Sequence, residues 1–152
     1  MVAATMAAAM IAAFCVAAVA GNGAGGPPAI EGRWVAEKRG LVLDLSRCGA
    51  AWCGVEVIDG KSCGATMLRL AIAPSSQQKG DGSLIGRIEL AAAGQSYAVE
   101  ARLLEPREGG PPQLSMFGNR SGRFEPWSRS YPFREMFARA GDAACAAAAK
   151  VS

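Results

Sequence analysis

The side chains that could carry chemistry in this chain are its cysteines, carboxylates and arginines, because its 152 residues include no histidine. In RCGAAWCG, residues 47–54, Cys48 and Cys53 bracket four residues directly after an alternating run of leucines. Cys63 and Cys145 follow, and Cys15 lies within the first twenty residues. A redox dithiol needs two intervening residues at a helix start, where the dipole lowers a thiol pKa. Four residues between strand-like runs meet neither condition. A zinc centre would have to take all four thiolates, and their spacing lacks the paired C-x-x-C knuckles of zinc modules. What remains is structural. Residues flanking a four-residue hairpin loop face each other within disulfide reach, so Cys48 is expected to bond Cys53. Cys63 is then left for Cys145, tying the tail to the loop after the third strand. The alternative joins Cys48 or Cys53 to Cys63 and leaves the other hairpin cysteine for the tail.

Catalysis has little to stand on. Without histidine, a Ser-His-Asp or Cys-His arrangement is impossible, and paired cysteines offer no thiolate nucleophile. Asp44, Glu56, Glu89 and Glu100 sit on strand-like segments, but each falls opposite the apolar face, so nothing places a pair in a dry pocket. There is no glycine-rich dinucleotide or phosphate loop. The expectation is a protein that is not an enzyme and uses no cofactor or metal. The formal net charge of +3 is too mild to signal nucleic-acid binding. Arg120, Arg123, Arg129, Arg134 and Arg139 make the end of the chain locally basic, either as a solvated face or as a patch for an anionic partner.

The elements that must position these groups read as strands. In GLVLDLS, residues 40–46, Leu41, Leu43 and Leu45 share one face and Val42 and Asp44 the other, the alternation of a half-buried strand. Val55 and Val57 repeat the pattern, as do Leu68, Leu70 and Ile72 against Arg69 and Ala71, and Leu84, Ile88 and Leu90 against Arg87 and Glu89. Tyr97, Val99, Ala101 and Leu103 continue it, and LSMFG and GRFEPWSR complete the series more weakly. Glycine-rich turns separate the runs. The predicted fold is all-β: a small antiparallel β-barrel, lipocalin-like, of seven to eight strands, with a short C-terminal helix. That helix is expected because Phe133, Met136, Phe137 and Ala140 share a helical face. The tail is expected to pack on the outside of the barrel or to close one end.

The first twenty residues carry no charge and end in Ala18-Val19-Ala20, the small-x-small pattern of a signal-peptidase site. Residues 1–20 therefore read as a signal peptide, 21–29 as a flexible leader, 30–130 as the barrel domain and 131–152 as the helical tail. The missing n-region Lys or Arg leaves a retained anchor as the alternative. After cleavage no stable membrane span is expected. An even number of cysteines then remains, which fits two disulfides in a periplasmic or secreted protein.

Gly32-Arg33-Trp34, LVLDLSRC followed by CGVEV, GRIELAAAGQSYAVEARL and GRFEPWSR, taken in order, resemble the domain-of-unknown-function 2147 family of exported bacterial proteins. The family's Gly-x-x-Tyr turn appears as Gly94-Gln95-Ser96-Tyr97 and its closing Trp-x-Arg as Trp127-Ser128-Arg129. The resemblance runs from about residue 31 to 129. It departs at Ala91 to Ala93, where the family has an acidic or Asn-containing turn, and in a shortened segment around residues 65–83. It implies a compact β-barrel in the cell envelope and no particular activity.

In lipocalin-like barrels an early Trp lies under an Arg from the last strand and plugs the closed end, a parallel that points Trp34 and Arg129 to barrel closure, with a ligand-contacting Trp34 as the alternative. Trp52, between the hairpin cysteines, is either a contact anchor on a preorganised turn or packs back over the disulfide. The expected function is a binding module for a small apolar or amphipathic ligand, whose cavity would be lined by Leu43, Val57, Leu70 and Val99. The alternative is a protein-interaction or protease-inhibitor-like barrel that meets an envelope protein through Trp52 and exposed loops.

Overall fold

The computed structural model describes residues 30–74, 82–106, 109–121 and 131–147. Eight strands lie within them: β1 (Gly32–Ala36), β2 (Val42–Cys48), β3 (Ala51–Ile58), β4 (Ser62–Ile72), β5 (Leu84–Leu90), β6 (Gln95–Leu104), β7 (Gln113–Asn119) and β8 (Phe133–Gly141). Each pairs antiparallel with its neighbour in sequence, and β8 returns to β1, so the sheet closes on itself and leaves no edge. A single 3-10 turn, Ala91–Ala93, joins β5 to β6.

The alternation of apolar and polar residues determines which side chains face the axis. Trp34, Leu43, Leu45, Trp52, Leu68, Leu70, Leu84, Ile88, Val99, Leu114, Phe133 and Phe137 are buried together in the interior. The barrel is therefore filled by its own side chains. Closure also needs strands that can bend and approach closely. A Cβ on Gly86 would run into the Arg69 carbonyl oxygen, and one on Gly118 into that of Ala98, so only glycine fits at these two inward positions.

Two expectations are corrected. Residues 133–141, read as the start of a helical tail, form β8 and are part of the barrel, which therefore extends past residue 130. Phe133 and Phe137 do share a helical face, but they also alternate with Arg134 and Met136 in a strand whose middle inward position is Glu135. Glu135 is tolerated inside because the Lys38 N–H donates to Oε1 at 3.0 Å and the Arg39 guanidinium lies 3.3 Å from Oε2. The second correction concerns the hairpin. Cys48 pairs with Ala51, so the loop is the two-residue turn Gly49-Ala50, with Gly49 at φ +73°. The segments 1–20, 21–29 and GRFEPWSR lie outside the described residues.

Candidate functional site

Two disulfides are present, Cys48–Cys53 and Cys63–Cys145, with Cα separations of 5.7 and 5.5 Å. The first spans the β2–β3 hairpin diagonally, since Cys53 lies opposite Ser46 rather than Cys48. The shorter turn moves Trp52 out of the loop and into β3, facing the axis with 1% of its surface exposed. As a contact anchor, Trp52 is therefore corrected: its ring belongs to the core. Arg47, directly opposite on β2, lays its guanidinium over that ring, 3.7 Å from the centroid. This Arg–Trp contact sits beside the β2–β3 turn and was not singled out by the sequence. Trp34 is fully buried and donates its indole N–H to the Ile30 carbonyl at 2.8 Å, and Arg129 lies outside the described residues.

The second disulfide organises the outer wall. After β8 the chain turns back as an irregular strap, residues 142–147, across the outside of β2 and β3 to Cys63 on β4. Beneath it Val55 and Val57 are buried against Cys145 of the strap, with Val42 and the strap's Ala147 packed against them. Val57, expected to line an internal cavity, thus points outward under the strap. Asp44 also points outward, yet its side chain is fully buried. Arg33 donates to both carboxylate oxygens, at 2.8 and 2.9 Å, and the Ala144 and Cys145 N–H groups each donate to Oδ2 at 2.8 Å. The Arg33 hydrogen bonds hold the Asp44 carboxyl below the usual carboxylate range; burial opposes them, and the two strap N–H groups add to the lowering. The same contact raises the Arg33 pKa.

The other expected carboxylates do not gather around Asp44. Glu100 pairs with Arg102 at 2.6 Å on β6, Glu89 is exposed on β5, and Glu56 lies beside Gly64. The arginines near the end of the chain are likewise dispersed. Arg120 approaches the Tyr97 ring at 5.9 Å, Arg139 lies 3.6 Å from Asp142 near the opposite end, and Arg123 is outside the described residues.

A concavity of about 1030 Å3 opens on the outer wall of β3, β4 and β5, bounded by the stapled hairpin tip and by Ala147 of the strap. Its floor follows from the strand register. Arg69 on β4 lies opposite Cys53 on β3 and Arg87 on β5, and two residues further along β4 Ala71 lies opposite Ile85. Ala51, one residue before the inward-facing Trp52, adds to the apolar side. The floor thus holds an apolar row beside a charged row. Alternation had placed Arg69, Ala71 and Arg87 on the outer face, but only the register shows that the arginines are neighbours. The hairpin wall is rigid because Cys48 and Cys53 are bonded, and Arg87 is partly fixed by its 2.9 Å hydrogen bond to Ser96 Oγ. Chemically, this surface can bind a molecule with an apolar part and a polar part. No family model, curated protein or solved structure matches this chain.

Proposed function

We propose that this chain is an exported, non-catalytic β-barrel binding module of the lipocalin-like kind, related to the bacterial envelope proteins that its sequence resembles, and that it takes a small amphipathic molecule. The observation that carries this reading is the outer concavity, with its apolar row of Ala51, Ala71 and Ile85 beside Arg69 and Arg87. The contact surface is the outer wall and not the interior, because Trp34, Trp52, Phe133 and Phe137 occupy the axis. A non-catalytic role is supported by what the reactive groups are doing: four cysteines are bonded in pairs and Asp44 is committed to Arg33 and the strap. Export is supported by those disulfides, which persist in oxidising compartments, and by the uncharged first twenty residues ending in Ala-Val-Ala. The burial of Trp52 removes the anchor on which a protein-interaction reading relied.

The test titrates the oxidised protein with decanoate, decanol and decyltrimethylammonium below their micelle concentrations and follows backbone amide shifts by NMR. At least one amphiphile is expected to shift Ala51, Ala71, Ile85 and Arg87, and Ala71→Trp, which fills the floor, is expected to abolish the effect. Shifts confined to other faces, or none with any of the three, would overturn the assignment.

A further inference from the structure

Like charges directly opposite each other on neighbouring strands repel and cost stability. Arg69 and Arg87 are such a pair, set side by side across the β4–β5 ladder on the floor of the concavity. Neither is ion-paired with a carboxylate among the described residues, whereas Arg33, Arg39, Arg102 and Arg139 each have one. Glu89 follows Arg87 on the same face of β5, on the side away from Ile85, and leaves the pair with an excess of positive charge next to the apolar row. Two guanidiniums carried at opposed positions on one face of a sheet are suited to an oxyanion, since each can donate two parallel hydrogen bonds. The Arg87–Ser96 bond uses one nitrogen, Nη1, and leaves the others available to donate.

We infer that Arg69 and Arg87 form an oxyanion-holding pair and that the ligand of the outer concavity is an amphipathic anion, its carboxylate between the two arginines and its apolar body along Ala71, Ile85 and Ala51. The inference rests on the concavity being the binding surface and specifies which end of the ligand decides selection. The order of residues along the strands imposes the orientation. From Arg69 to Ala71 on β4, and from Arg87 to Ile85 on β5, the floor passes from charged to apolar in one step of the outer face. An anion bound there neutralises the cross-strand repulsion, so occupancy should also stabilise the β4–β5 pairing.

Calorimetric titration with the same three decyl compounds separates this inference from the reading beneath it. Decanoate is expected to bind about tenfold or more tightly than decanol, as charge-assisted hydrogen bonds to a partly exposed site imply, and decyltrimethylammonium more weakly than either. Arg69→Gln and Arg87→Gln should each weaken decanoate by about tenfold, leave decanol within about twofold, and reduce the loss of decanoate affinity with added salt. Both positions are exposed, so the two variants should melt no lower than the parent, and slightly higher where the cross-strand repulsion is relieved, which excludes misfolding. If decanol and decanoate bind the concavity equally and both variants behave as the parent, the oxyanion pair is overturned while the concavity stands. If none of the three compounds shifts the floor residues, both are overturned.

Discussion

Replacing Asp44 by Asn tests the strap at the group that holds it down. The carboxylate accepts four hydrogen bonds, two from Arg33 and one each from the N–H groups of Ala144 and Cys145. Asn has the same shape but one acceptor oxygen. If that oxygen keeps the strap, the new NH2 faces the Arg33 Nε–H, donor against donor, in a fully buried position. Losing one charge-assisted bond and opposing two donors costs about 2 kcal/mol, at the lower end because Arg33 is 22% exposed and water can serve it. For a domain of this size that is about 4 °C per kcal/mol, or about 8 °C in Tm. The pH dependence carries a sign. Asp44 is depressed in the folded protein, so its stabilisation is fully present above the unfolded carboxylate pKa of about 3.9 and is lost as pH falls through the lower folded value. The deficit of Asp44→Asn relative to the parent should therefore be full near neutral pH and shrink as the solution is acidified below about 3.9. Thermal melts followed by circular dichroism on the oxidised proteins measure both. A deficit under about 2 °C at neutral pH, or one that does not shrink in acid, would refute the argument.

Three further outcomes follow from the same contacts. Removing the long-range bond with Cys63→Ser and Cys145→Ser should cost roughly 4.5 kcal/mol by loop-closure entropy, against roughly 2 kcal/mol for Cys48→Ser with Cys53→Ser, and urea denaturation should rank the pairs in that order. Gly86→Ala should lower the denaturation midpoint by the equivalent of about 1–3 kcal/mol, since its Cβ meets the Arg69 carbonyl oxygen on a neighbouring strand; a neutral result would refute the close approach. Arg47→Ala should uncover the Trp52 ring and shift its emission to the red with faster acrylamide quenching, measured in a Trp127→Phe background, and an unchanged spectrum would place the ring elsewhere.

The barrel and its two cross-links were legible because Leu43, Leu45, Leu68, Leu70, Leu84 and Ile88 alternate with polar residues and glycine-rich turns separate the runs. β8 was not, for a physical reason: Glu135 occupies an inward position and interrupts the apolar period of two, while Phe133, Met136, Phe137 and Ala140 happen to fit a period near 3.6. Only the Lys38 N–H and Arg39, from a turn far away in sequence, make a carboxylate acceptable there. Asp44 and Val57 show a different limit. Alternation placed Asp44 outward correctly but took the apolar Val57 for an inward position, because a strap that arrives from the end of the chain buries this outer side as well. Trp52 turned on two residues of loop length, because RCGAAWCG reads equally as a four-residue loop or as a tight Gly49-Ala50 turn, and only the second puts the indole on a strand. The floor of the concavity depends on register, which a single sequence does not print.

The strap also sets an order of events during oxidative folding. Cys48 and Cys53 are five residues apart and, under oxidising conditions, can be bonded as soon as the hairpin forms, before the rest of the barrel is in place. Cys63 must wait for a partner 82 residues later, through the emergence of β5 to β8, with its thiol free in the company of an already closed hairpin bond. Early closure of the hairpin therefore removes Cys48 and Cys53 as free thiols, and Cys63 can join them only by exchange with that bond. The long-range bond, made by a cysteine that follows β8, locks the barrel only after all eight strands are available for pairing.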